Sequence, residues 1–213
     1  MLLPTAQRHG YTLVFLHGYH MRAEELLDLF AALRASFPAW RFVLPQAPRM
    51  AVTAFPQEPP GFSWFDYLTD RQGVAEDTVD VFSVRQQREA LRAVLNGEAR
   101  LLDGRASRVF LGGLSQGGCM ALDLAAHVDV GGVLTMVAPR LSTSLAKRLR
   151  APWHALVADR DEVFPPSWSQ PLLAGAASVY HLADNHWISE QEQLRFLRRG
   201  LTKFQEDCKA DGL

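Results

Sequence analysis

Five residues, Gly113-Leu114-Ser115-Gln116-Gly117, constrain this chain more than any others. They read as a nucleophile elbow, a sharp turn that lifts a serine hydroxyl clear of a strand end and onto the start of a helix. The surroundings fit. Arg108-Val109-Phe110-Leu111 before the turn is apolar and β-prone, and Gly118 to Ala126 after it holds good helix formers. A side chain at position 113 or 117 would crowd the turn or the strand–helix contact, which is the physical reason for glycine there. A chain of this length meets G-x-S-x-G by chance roughly once in fifteen. The weight therefore falls on the flanking strand and helix, and on companion residues downstream.

The rest of the chain supplies a matching frame. Apolar β-like runs (Tyr11–Leu16, Arg41–Leu44, Val109–Leu114, Val130–Val137, Trp153–Ala158 and Ser178–Leu182) alternate with helical stretches. The helices are expected at Ala23–Ser36, Ser83–Leu95, Gly117–Ala126, Thr143–Leu149, Ser167–Leu173 and Ser189–Phe204, the last opened by the capping box Ser189-x-x-Glu192. Repeated β-then-α order implies an α/β fold, with a mostly parallel central sheet and helices on both faces. At 213 residues, with 48% hydrophobic and 21% charged side chains, the chain reads as one domain over residues 1–213 with a sizeable core.

Bulk charge removes other classes. The formal net charge is −1, so nucleic acid and anionic lipid surfaces are not expected partners. The start Met1-Leu2-Leu3-Pro4 is too short for a signal peptide, no apolar run nears the ~18 residues of a spanning helix, and no lipid-anchor motif is present. Cys119 and Cys208 lack CxxC partners, a bridge between them is not expected, and a cytoplasmic setting is the default.

Pro45–Gly73 breaks the rhythm. It holds five of the twelve prolines and the cluster Phe62-Ser63-Trp64-Phe65-Asp66-Tyr67. Its aromatics argue for order, and we expect a loop over the sheet's carboxyl edge, where open α/β sheets bind ligands. Exposed aromatics there would suit a transient membrane or partner contact.

A serine hydroxyl is a weak nucleophile and needs a base, itself oriented by an acid. In sheet enzymes of this type the order is Ser, then acid, then His. Asp159, Asp161 and Glu162 all lie past the strand ending at Ala158; Asp161 is the expected acid, and Asp159 the turn cap. His186 lies between the last strand and the last helix, the position a base requires, whereas His181 sits inside the strand run. Backbone N–H groups of Gln116 and Tyr19 are the expected donors to a tetrahedral oxyanion, Tyr19 because it follows His17-Gly18 in the loop after the first strand. His17 and His20 are three apart, but the intervening glycine spoils a helical pair and no cysteine is near, so no metal site is expected. Phe62, Trp64, Phe65, Phe164 and Trp187 are candidates for an apolar wall on the acyl side.

With these groups in place, the chain resembles the acyl-protein thioesterase, phospholipase and carboxylesterase family of small α/β-hydrolases, from about Tyr11 to Phe204. Leu16-His17-Gly18 is similar to its oxyanion loop, and Leu44-Pro45-Gln46-Ala47-Pro48 with Ser63-Trp64-Phe65-Asp66 to its Pro-x-Ala-Pro and Ser-Trp-Phe-Asp segments. Gly113 to Gly118 is similar to its elbow, Asp161 to Pro165 to its acid turn, and His186 stands at its histidine. The resemblance implies cleavage of a carboxylic ester or thioester, free or protein-linked, through Ser115, with no cofactor and no large lid. It also implies that the Trp64–Phe65 loop lies beside the acyl site. Departures are clear. Tyr19-His20-Met21 stands for Leu-Gly-Asp, Ala158-Asp159 for Gly-Asp, Trp187-Ile188 for small residues, and the leading hairpin is shortened or lost. Two alternatives stand beside this reading: another serine hydrolase of peptidase or dienelactone type, and a non-catalytic ligand-binding protein on the same scaffold. The sequence leaves acyl length and oligomeric state open.

Overall fold

Tyr11–Leu16 is buried at every position. A strand without a polar face belongs in the middle of a sheet covered on both sides, and that is where it lies. The computed structural model describes residues 2–3 and 9–210. In chain order the elements are β1 (Leu2–Leu3), β2 (Tyr11–Leu16), α1 (Leu27–Ser36), β3 (Trp40–Val43), β4 (Arg49–Met50), β5 (Gly61–Phe62), α2 (Val81–Leu101), β6 (Val109–Leu114), α3 (Gln116–Ala125), β7 (Gly132–Met136), β8 (Trp153–Ala158), α4 (Pro166–Ser169), β9 (Ser178–Leu182) and α5 (Glu190–Ala210). The main sheet runs β1-β3-β2-β6-β7-β8-β9. Every neighbouring pair is parallel except β1 with β3. This is the mostly parallel α/β-hydrolase sheet, with helices on both faces.

Alternation along β2 splits the core in two. Leu13 and Phe15 face a cluster with Phe30 and Leu33 of α1 and Leu197 and Phe204 of α5. Val14 and Leu16 face a second cluster with Leu91 and Leu95 of α2 and Met120 and Leu124 of α3. Helix α3 is buried at all ten positions. Register brings the carboxyl ends level: Leu16 pairs with Gly113, Leu114 with Met136, and Ala158 with Leu182. The loops after β2, β6, β8 and β9 therefore emerge together along one edge.

Several boundaries differ from the sequence reading. Leu2–Leu3 adds an antiparallel edge strand where the first strand was expected at Tyr11; two residues are too few to show a period. Helix α2 begins at Val81, because the Asp80 carboxylate accepts from Phe82 N and Ser83 N. Val81 and Phe82 are exposed, so they break the amphipathic pattern that would have marked the start. The helix expected over Thr143–Leu149 is only a short 3-10 turn at Ser142–Ser144. The buried Arg140 guanidinium donates to the carbonyls of Ser144 and Lys147, the first of them an oxygen that a helix over 143–149 would have used itself. Within Pro45–Gly73, β4 and β5 pair antiparallel.

Candidate active site

Ser115 sits where β6 turns into α3, with φ 51° and ψ −125°. That left-handed backbone is uncommon for a residue with a Cβ and holds the side chain out of the turn. Its N–H donates to Met136 O at 2.9 Å, tying the turn to β7. A Cβ at Gly117 would come within 2.3 Å of the carbonyl oxygens of Leu16 and His17, so the start of α3 presses directly on the end of β2.

The loop after β9 brings His186 to this serine. Nε2 of His186 lies 2.8 Å from Ser115 Oγ. On the other side of the ring, Nδ1 lies 2.9 and 3.0 Å from the two carboxylate oxygens of Asp161. An acid at Nδ1 fixes a proton there and leaves Nε2 as an acceptor for the hydroxyl. Asp161 Oδ1 also accepts from Val163 N at 2.9 Å and Phe164 N at 2.7 Å, so the carboxylate is held from two directions. Imidazole and carboxylate are both buried.

The other two acids after β8 have different partners. Asp159 lies 2.7 Å from His181 Nδ1 on the exposed surface. Glu162 Oε2 accepts the backbone N–H of His186 at 3.1 Å. The three acids that the sequence offered are thus sorted by geometry. Glu162 was not singled out in advance, and no local sequence signal distinguishes it.

The N–H groups of Tyr19 and Gln116 both lie beside the serine turn, one after β2 and one at the start of α3. No group among the described residues accepts from either. What turns the Tyr19 N–H is His17, a residue the sequence places in the Leu16-His17-Gly18 loop without indicating a role for its side chain. Its ring is fully buried. Nδ1 lies 2.8 Å from Gly18 O, while Nε2 accepts from Ala47 N at 3.1 Å and faces Gln46 Nε2 at 2.9 Å. The ring therefore carries its proton on Nδ1, and burial pushes its pKa below the ordinary 6.5. Holding the Gly18 carbonyl back turns the N–H of the same peptide, that of Tyr19, the opposite way.

The aromatic candidates fall into two groups. Trp64 and Phe65 are buried core residues rather than an open wall. Trp64 Nε1 donates to His17 O at 2.8 Å, and the Gln116 side chain ties down the strap from Ser63 to Phe65. A buried indole needs an acceptor, and the strand-end carbonyl supplies it. Phe62 and Phe164 are half-buried, and Trp187 is exposed. The Phe164 and Trp187 rings both stand edge-on to the His186 ring, at 5.4 and 5.5 Å between centroids. Cys119, one turn into α3, is fully buried, and burial pushes its thiol far up, away from nucleophilic use. Among the described residues no His, Cys, Asp and Glu side chains are grouped to hold a metal ion. None of the described helices is long and apolar enough to cross a membrane.

Comparison with known proteins gives this geometry a family. Residues 2–143 match the phospholipase/carboxylesterase family model. The chain belongs to the phospholipase/carboxylesterase family. The chain is similar to mouse lysophospholipase-like protein 1, 29% identical over 136 residues, 61% of this chain. That match spans about half of the mouse protein, 54% of its length. Solved structures extend the fold beyond the matched segment. Arabidopsis thaliana SOBER1 superposes with a TM-score of 0.75 at 21% identity, covering 92% of this chain and 99% of that one. Zea mays acyl-protein thioesterase 2 gives 0.73 at 17% identity, over 96% of this chain and 97% of that one. Asp161 and His186 lie outside the family match, so their place in the site rests on the geometry above.

Proposed function

We propose that this family member is a serine hydrolase of carboxylic esters or thioesters that works through an acyl-enzyme on Ser115. The observation that carries the reading is the unbroken hydrogen-bonded line from the Ser115 hydroxyl through His186 to Asp161, with both ring nitrogens engaged. Ser115 Oγ attacks the acyl carbon while His186 Nε2 takes its proton. Asp161 keeps the proton on Nδ1 and stabilises the imidazolium. The N–H groups of Gln116 and Tyr19 receive the oxyanion. His186 then gives its proton to the leaving oxygen or sulfur; later it takes a proton from water as the water oxygen adds to the acyl carbon, and passes that proton to Ser115 Oγ as the acyl–serine bond breaks and the acid leaves. Besides substrate and water, these steps draw on side chains and backbone of this chain alone.

Substrate selection falls to the groups around the serine. Phe62, Phe164, Trp187 and the Tyr19 ring offer apolar contact to an acyl or leaving group, while Trp64 and Phe65 act through the backbone they hold. The substrate class is a small or protein-linked acyl ester or thioester.

Labelling with a fluorophosphonate tests the mechanism. Wild-type protein is expected to label at Ser115, and Ser115→Ala to lose both the label and ester turnover. Undiminished turnover in Ser115→Ala would refute the reading. Matched p-nitrophenyl ester and acyl-thioester chain-length series then rank the substrates.

A further inference from the structure

The departure Tyr19-His20-Met21, in the loop after β2, has a structural counterpart in the long loop between β3 and α2. Glu58, between β4 and β5, reaches back to this segment. Its Oε2 accepts the Tyr19 hydroxyl at 3.1 Å and lies 3.5 Å from His20 Nε2. Burial and the nearby Glu58 carboxylate push the Tyr19 phenol up, so it stays protonated and acts as the donor. His20 adopts φ 61°, a left-handed backbone uphill for any residue with a Cβ. Its N–H donates to Phe62 O at 2.8 Å, and its ring packs so closely on Gly61 that a Cβ there would lie 2.4 Å away. One carboxylate thus accepts from the Tyr19 hydroxyl and lies beside the ring of the left-handed His20, the residue that follows the proposed second oxyanion donor.

We propose that Glu58 is a positioning residue for the reaction: it holds Tyr19 and His20 so that the Tyr19 N–H points at the developing oxyanion. Three constraints converge on this N–H. His17 fixes the carbonyl of the preceding Gly18, and Phe62 O fixes the following N–H of His20. Glu58 closes the set by keeping the left-handed residue and its neighbour from relaxing. A donor displaced from the oxyanion weakens the transition state more than the ground state, whose carbonyl makes the weaker contact. Through Glu58 the 45–73 loop thereby acts on the chemistry with a side chain that does not itself touch the substrate.

The proposal rests on the acyl-transfer reading of Ser115, and the experiment separates the two. Glu58→Ala, Glu58→Gln and wild type are compared for kcat and KM on a p-nitrophenyl ester, for inhibition by an alkylboronic acid that forms a tetrahedral adduct, and for fluorophosphonate labelling. Glu58→Ala is expected to lower kcat about tenfold, a fraction of what loss of a whole donor costs. KM should stay within about twofold, and boronate affinity should fall in step with kcat. Glu58→Gln keeps an acceptor for the Tyr19 hydroxyl and should retain most of the activity. An unchanged kcat, a rise in KM alone, boronate affinity that holds while kcat falls, or equal loss in both variants overturns the proposal. Wild type that takes no label on Ser115 overturns the parent reading and this one with it.

Discussion

Gln116 is bonded to Trp64 across the active-site floor: its side-chain oxygen accepts the Trp64 backbone N–H at 2.9 Å. The amide nitrogen donates to Ser63 Oγ at 2.8 Å and to Phe65 O at 3.1 Å. On the proposed mechanism Gln116 serves twice, its own N–H for the oxyanion and its side chain toward the Pro45–Gly73 loop.

Gln116→Glu is isosteric but replaces the donating nitrogen with an acceptor. Ser63 has a single hydroxyl proton, given to Phe65 O at 2.7 Å, so it can serve either that carbonyl or the new oxygen and one of the two is left without a donor. A buried polar group left this way costs about 1–3 kcal/mol, more when charged. Calorimetry is expected to show a Tm lower by roughly 5 °C or more, and limited proteolysis faster cleavage within residues 45–73. An unchanged Tm would show that the strap is held by packing alone.

Asp161→Asn should leave the fold nearly intact and remove most activity. The Asn oxygen can still accept from Val163 N and Phe164 N, as Asp161 Oδ1 does. Its NH2 then faces His186 Nδ1, which must give up its proton to accept. The imidazole proton moves to Nε2, where it points at Ser115 and cannot be replaced by the serine's. A loss of kcat on the order of 10³–10⁴ is expected, with Tm nearly unchanged. Activity within tenfold of wild type would remove Asp161 from the mechanism.

Acid should weaken the protein, and the buried imidazoles give the sign. Burial lowers the pKa of His17, His9 and His154 below the ordinary 6.5. Below about 6.5 the unfolded chain therefore binds protons that the folded chain refuses, so stability falls as pH drops toward the lowered folded values. Above 6.5 both states are neutral at these sites and the contribution disappears. Tm should fall from pH 7.5 to 5.5, and unfolding at pH 6 should take up protons, measured as a dependence of unfolding enthalpy on the buffer's ionisation heat. Net proton release at pH 6 would contradict it. Asp77 has a raised pKa and the opposite sign, but its window begins at the lower value of 3.8.

How much of this was legible in the sequence depended on whether a role was local. The elbow, the order of strands and helices, and the positions of Asp161 and His186 follow from short runs read against the rule that parallel strands bring their following loops to one edge. Trp64 and Phe65 were legible as important but not as buried. Their composition suits an open apolar wall equally well, and only the Gln116 side chain and the strand-end carbonyl of His17 distinguish the two. Arg140 illustrates the same limit. Capture of the Ser144 and Lys147 carbonyls by its guanidinium replaces a helix that local propensity favoured. Nothing local marks the roles of Glu58 and Glu162, because their partners, Tyr19 and the His186 N–H, lie far away in the chain.

Two glycines with opposite surroundings offer a paired test of the elbow's packing. At Gly117 an added methyl would meet backbone oxygens of Leu16 and His17 at 2.3 Å, and neither can move without shifting β2 or the loop bearing Tyr19. Gly97, inside α2, has nothing within 4 Å of the same atom. Overpacking of the first kind typically costs about 1–3 kcal/mol or more, whereas alanine for glycine within a helix gains about 0.5–1 kcal/mol. Gly117→Ala should therefore lower Tm and also kcat, because relief of the clash displaces the Tyr19 N–H. Gly97→Ala should raise Tm slightly with kcat unchanged. If Gly117→Ala folded and turned over esters like wild type, α3 and the oxyanion loop would have more slack than this contact allows, and the rigid aim assigned to the Tyr19 N–H would be wrong.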